Sequence, residues 1–135
     1  MWKVKKGCVG IYIFFKLIKK KFLNEADLVF LCLPDEASKE SVKLITNNTT
    51  KVIDASTAHR TNADWTYGIA ELNKTQREKI KNSKRVCVPG CHASGFIMAM
   101  KPLIENNIVS KKQKIVCHSI TGYSGGGKGL IDIYE

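Results

Sequence analysis

At 135 residues the chain is one domain by length, or a piece of a larger one. Its 44% apolar and 25% charged residues are ordinary for a globular protein. The net charge of +10 is carried mostly by Lys, with Arg only at 60, 77 and 85. It therefore lacks the Arg forks and interleaved aromatics of a nucleic-acid reader, and a solvated lysine surface is the better reading. Five cysteines, an odd number with no CxxC pair, argue against a disulfide scaffold and a zinc site and for a reduced, cytosolic protein. Cys32, Cys87 and Cys117 fall in runs that read as buried strands.

Residues 1–25 form an atypical segment with a basic start and an apolar centre from Cys8 to Phe15. That centre is far shorter than a membrane span, which needs about 20 residues, and Lys16 interrupts it. No small-residue cleavage site follows, so an amphipathic strand or helix with a lysine face is expected rather than a leader. "ADLVFLCLP" (26–34) is a continuous apolar run closed by Pro, as in a strand buried on both faces of a parallel sheet. "DEASKESVKLITNN" (35–48) opens with acidic residues and places Ala37, Val42, Leu44 and Ile45 on roughly one face, which predicts a helix closed by Asn47-Asn48. "KVIDAS" (51–56) reads as a second strand. Residues 57–70 read as an irregular loop anchored by Trp65 and Tyr67, and "ELNKTQREKIKN" (71–82) as an exposed helix.

"RVCVPG" (85–90) is a third strand stopped by Pro-Gly. "ASGFIMAMKPLIENN" (93–107) is an apolar helix in which Pro102 is a candidate kink. "KIVCHSIT" (114–121) reads as a fourth strand and "GYSGGGKG" (122–129) as a glycine-rich loop. Strands alternating with helices predict an α/β fold with a mostly parallel sheet. Functional loops in such sheets gather beyond the carboxyl ends of strands, here 34–38, 54–60, 89–95 and 121–129.

Cys91 follows the Pro89-Gly90 corner, at or just before a helix start. First-turn amides and the helix dipole favour an anion there, whether a thiolate or an oxyanion on an attacked carbonyl. Covalent acyl chemistry through a thioester and an inert cysteine in a tight turn both remain open on residue type alone. "DASTAHRT" (54–61) offers three hydroxyls, His59 and Arg60 as an anion-binding loop, with Arg60 able to grip a carboxylate or phosphate by two parallel bonds. The competing reading is a loop in which Asp54 and Ser56 satisfy their own backbone. In "GYSGGGKG", Lys128 is followed by Gly129, so the Walker spacing fails. His92 adjoins Cys91 and His118 adjoins Cys117; neither is a strong general-base candidate.

Taken together, "LVFLCLPDEAS", "VIDASTAHR", "YGIAELN", "VPGCHASGF" and "SITGYSGGGKG" resemble the shorter branch of the N-acetyl-gamma-glutamyl-phosphate reductase family. Aspartate-semialdehyde dehydrogenase shares the plan but fits these motifs less well. The resemblance implies NADPH-dependent reduction of N-acetyl-glutamyl 5-phosphate to the 5-semialdehyde in arginine biosynthesis, by a cytoplasmic enzyme that is a homo-oligomer at full length. It implies Cys91 as the nucleophile that forms the thioester, and Ser56 and Arg60 as ligands of the substrate anion. It implies Leu33 and Pro34 as a turn near NADP, with Ser124, Gly125, Gly126 and Lys128 in a loop near nicotinamide or substrate. No metal and no membrane partner is implied.

On the same resemblance the fold is an incomplete Rossmann-like sheet with flanking helices, plus the start of a truncated second domain. Residues 1–25 are the atypical segment, 26–90 the remainder of the NADP-binding domain, and 91–135 the catalytic-cysteine helix and the opening of the substrate and dimerisation domain. The family's glycine-rich pyrophosphate turn is matched at best by "GCVG" (7–10), and its catalytic histidine by none of the three histidines here. The expectation is thus a partial reductase, whose alternative is a non-catalytic α/β remnant that pairs with another chain.

Overall fold

The computed structural model describes residues 16–135. Most of the N-terminal basic and apolar segment, including Cys8 and the 7–10 turn, lies outside the described residues. Two compact units divide at Met98 and Ala99. The first holds a four-stranded, all-parallel sheet of order β1-β2-β4-β3, with β1 at Leu28–Leu31, β2 at Lys51–Asp54, β3 at Thr66–Tyr67 and β4 at Arg85–Cys87. Helix α1 (Lys16–Glu25) precedes β1, α2 (Asp35–Leu44) joins β1 to β2, and α3 (Gln76–Asn82) joins β3 to β4. Helix α4 (Cys91–Glu105) leaves β4 and runs past the division between the units.

The core lies on one face of the sheet. Val29, Leu31, Val52 and Cys87 point into it, and Leu23 of α1 and Ile45 beyond α2 close over them. Side chains along a strand alternate between faces, so the expectation of β1 buried on both faces is corrected: Phe30, between Val29 and Leu31, is 48% exposed. Cys32, just past the strand, is exposed as well, and of the three cysteines read as buried only Cys87 is.

Asn24 and Asn47 lace the carboxyl ends of α1 and α2 to the residues that lead into β2. Asn24 Oδ1 accepts the amides of Thr46 and Asn47, and Asn47 Oδ1 accepts those of Thr49 and Thr50. The loop 57–70 contains the short strand β3, held in register against Val86 and Cys87. The helix read from 71 begins only at Gln76, because Asn73 Oδ1 takes the Thr75 amide and a 3-10 turn, Ala70–Leu72, occupies the start.

The second unit contains the remainder of α4, an irregular stretch, a 3-10 turn at Tyr123–Gly126 and helix α5 (Lys128–Tyr134). The expected fourth strand at 114–121 is not formed. Its residues are exposed, Cys117 among them, and no described strand offers it a ladder, without which an extended run is not a strand. The tyrosines at 123 and 134 stack at a centroid distance of 5.4 Å, and the Tyr123 hydroxyl bonds Glu135. No helix among the described residues is long and apolar enough to cross a membrane.

Candidate active site

Three loops leave the carboxyl ends of parallel strands in the first unit: 32–35 after β1, 55–60 after β2 and 88–91 after β4. Asp54, the last residue of β2, is fully buried. Its Oδ1 accepts the Ser56 amide at 3.0 Å, and its Oδ2 accepts the Ser56 hydroxyl at 2.7 Å and the His59 Nδ1 hydrogen at 2.6 Å. Burial alone would raise the carboxyl's pKa. The hydrogen bonds from His59 and Ser56 outweigh it and hold the group below the ordinary aspartate range. An ionised carboxylate only accepts, so Nδ1 of His59 carries the proton. The His59 ring stacks on Trp65, centroids 4.1 Å apart and planes 12° apart. Ser38 Oγ, from α2, is buried without a hydrogen-bond partner at bonding distance and exerts the weakest of these pulls on Asp54.

Side chains tie the three loops to one another. Asp35, the first residue of α2, accepts the Thr57 amide at 2.9 Å and the Thr57 hydroxyl, and the two bonds lower its pKa, the hydroxyl more than the amide. Arg60 Nε donates to the Val88 carbonyl at 2.9 Å, and Nη2 to the Ala55 carbonyl at 3.3 Å. Val88 in turn donates its amide to the Asp54 carbonyl at 2.7 Å. A Cβ at Gly90 would stand 2.8 Å from Arg60 Nη1, so glycine there leaves room for the guanidinium beside the turn that leads to Cys91.

Cys91 is the first residue of α4 and is exposed. Gly90 caps the helix: its carbonyl accepts both the amide and the hydroxyl of Ser94, each at 2.8 Å. First-turn amides have no acceptor within their own helix, so the thiol stands beside donors that suit an anion. Cys87 is the opposite case, a buried thiol whose pKa burial pushes up. Pro102 lies inside α4. His118 is exposed on the irregular stretch of the second unit.

The structure therefore brings Ser56, Arg60, Cys91 and the Leu33-Pro34 turn to one end of one sheet. The Ser56 hydroxyl is turned inward, donating to Asp54 and accepting the Ala58 amide at 3.2 Å. Arg60 uses two of its five N–H donors on backbone, which leaves three. Leu33 packs on the core while Pro34 is exposed at the start of α2.

Ser124, Gly125, Gly126 and Lys128 belong to the second unit. There a Cβ at Gly126 would meet Leu130 Cδ1 at 1.9 Å, and Gly127 has φ 72°, so packing and turn geometry already require these glycines. Among the described residues no cluster of His, Cys, Asp or Glu could hold a metal ion. Sequence reasoning missed Asp35 and the Val88 carbonyl as parts of the site, and the pairing of Thr57 with Asp35, because the partners lie 22 and 28 positions apart. An aspartate closing a strand two residues before a serine was the visible signal for the Asp54 hub.

Residues 10–83 match the family described as "Semialdehyde dehydrogenase, NAD binding domain", and residues 91–134 its dimerisation domain. Over 116 residues the chain is 51% identical to a Mesorhizobium japonicum protein named N-acetyl-gamma-glutamyl-phosphate reductase, covering 86% of this chain and 38% of that one. A Nostoc protein named N-acetyl-gamma-glutamyl-phosphate reductase 2 is 45% identical over 117 residues, 87% of this chain and 36% of that one. The chain thus spans little more than a third of the length of these curated relatives. Aspartate semialdehyde dehydrogenase from Francisella tularensis superposes with TM-score 0.53 at 26% identity, over 65% of this chain and 25% of that chain.

Proposed function

The chain belongs to the semialdehyde dehydrogenase family, and on that premise we propose that it carries the nucleophile and anion-binding half of an N-acetyl-gamma-glutamyl-phosphate reductase. The observation that supports this reading most is Cys91: an exposed thiol at the first residue of α4, on a turn fastened by Arg60. Its thiolate attacks the acyl carbon of N-acetyl-glutamyl 5-phosphate. The C–S bond forms, the bond from that carbon to the bridging phosphate oxygen breaks, and inorganic phosphate leaves. The amides at the start of α4 stabilise the oxyanion. The donors that Arg60 has left hold a carboxylate or phosphate of the substrate.

NADPH, when bound, would supply the hydride for the acyl carbon; Cys91 holds that carbon as the thioester and leaves it as the restored thiolate, so that the product departs as the semialdehyde. Leu33 and Pro34 would hold the dinucleotide; Ser124, Gly125, Gly126 and Lys128 are proposed as cofactor residues on the family resemblance alone. NADP rather than NAD, a place in arginine biosynthesis, a cytoplasmic address and a homo-oligomer complete the reading. The relatives at 45–51% identity favour this substrate over aspartate semialdehyde.

The test is the reverse reaction, phosphate-dependent NADP reduction with N-acetylglutamate semialdehyde. Cys91→Ala should lower the rate by about a thousandfold or more. Equal rates in both forms remove Cys91 from the mechanism. A faster reaction with NAD overturns the cofactor assignment, and a faster one with aspartate semialdehyde overturns the substrate.

A further inference from the structure

We propose that His59 is a positioning residue for Arg60, acting through its bond to Asp54. The inference rests on the reading of Arg60 as the substrate's anion grip and adds what holds that grip in place. The observations form a closed circuit. The Asp54 carboxylate accepts from His59 Nδ1 at 2.6 Å. The next residue, Arg60, donates from Nε to the Val88 carbonyl at 2.9 Å. The Val88 amide closes the circuit onto the Asp54 carbonyl at 2.7 Å. Both ends of the loop are thereby fixed to neighbouring strand ends, and Val88 stands three residues before Cys91.

Arginine has four side-chain torsions, and an exposed guanidinium samples many rotamers. Here the backbone just before Arg60 is held by a ring that is 6% exposed, stacked on Trp65 and anchored to a fully buried carboxylate. The side chain therefore leaves the backbone from one place, and Nε meets one carbonyl. His59 touches no reacting atom in this account. It selects the geometry in which the Nη1 end of the guanidinium lies beside Gly90.

Covalent geometry supplies a clean contrast. The amide nitrogen of Asn lies two bonds from Cβ, as Nδ1 of His does, so His59→Asn can keep the bond to Asp54. The amide nitrogen of Gln lies one bond further out, so His59→Gln cannot. Both variants are polar and both lose the stack on Trp65, so their difference isolates the hydrogen bond.

The experiment follows the Arg60 Nε–H resonance of the full chain by nitrogen-edited NMR. It is assigned by its loss in Arg60→Lys, and its hydrogen-exchange rate is measured in each form. Wild type and His59→Asn should exchange at similar, slow rates, and His59→Gln about tenfold faster. Equal rates in the two variants, fast or slow, overturn the proposal, as does fast exchange in wild type. Inorganic phosphate is then titrated as the probe. A shifted Nε–H resonance in wild type and about tenfold weaker binding in His59→Gln are expected. No shift in wild type, with the Asn and Gln contrast intact, removes Arg60 as an anion ligand and leaves its positioning by His59 standing.

Discussion

The loop after β2 and the glycine-rich stretch of the second unit were both read from sequence as functional loops, and they are built differently. Residues 54–60 are tied by side chains to partners 22 and 28 positions away, around a fully buried carboxylate. Residues 121–135 are exposed except for Ile131, and among the described residues their side chains bond within the stretch, Thr121 to the Gly122 carbonyl and Tyr123 to Glu135. Glycine is demanded in the second stretch by its own turns and by Leu130, whereas at Gly90 it makes space for a neighbouring loop's arginine. A functional loop is recognisable less by its residue types than by whether distant parts of the fold converge to hold it.

That contrast is broken most readily at Asp54. Asp54→Ala leaves the Ser56 amide, the Ser56 hydroxyl and His59 Nδ1 without their buried acceptor, and should cost about 3 kcal/mol or more in a urea titration. A loss within about 0.5 kcal/mol, as expected for a surface residue, would place the β2 loop on the same footing as the glycine-rich stretch. The same group carries a pH signature. Its folded pKa lies below the unfolded value of about 3.9, so its stabilisation is complete above that pH and is lost as the pH falls through the lower folded value. Asp54→Asn should therefore flatten the acid limb of the stability profile, and an unchanged limb would show that other carboxylates produce it.

A finer cut is made at the link to α2. Thr57→Val removes the hydroxyl bond to Asp35 and leaves the backbone amide in place. Because the pair is exposed, the expected loss is far smaller than that of Asp54→Ala. A loss comparable to that of Asp54→Ala would mean that Asp35, rather than Asp54, is the hub.

Much of this architecture was legible because its signals are local. An apolar run closed by Pro34, one ended by Asp54 and one stopped by Pro89-Gly90 mark the carboxyl ends of β1, β2 and β4. Cys91 was readable at a helix start for the same reason. What stayed hidden depends on partners. Thr66 and Tyr67 form a strand only because Val86 and Cys87 pair with them, while residues 114–121 carry strand-forming side chains and have no such ladder among the described residues. Phe30 looked like core until the alternation of β1 placed it on the other face. Spacing could not tell whether Ser56 would turn its hydroxyl outward to a substrate or inward to Asp54.

Exposed thiols supply the most direct measurement. Cys32, Cys91 and Cys117 are all exposed, but only Cys91 stands at the first residue of a helix beside the Arg60 clasp. Incubation of the full chain with acetyl phosphate, a simple acyl phosphate, followed by peptide mass mapping reads out which sulfur is acylated. Acetylation concentrated on Cys91, and abolished there by Cys91→Ala without transfer to the other two, is the result expected of the nucleophile. Equal acylation of the three cysteines, or labelling of Cys32 or Cys117 in preference, would contradict it.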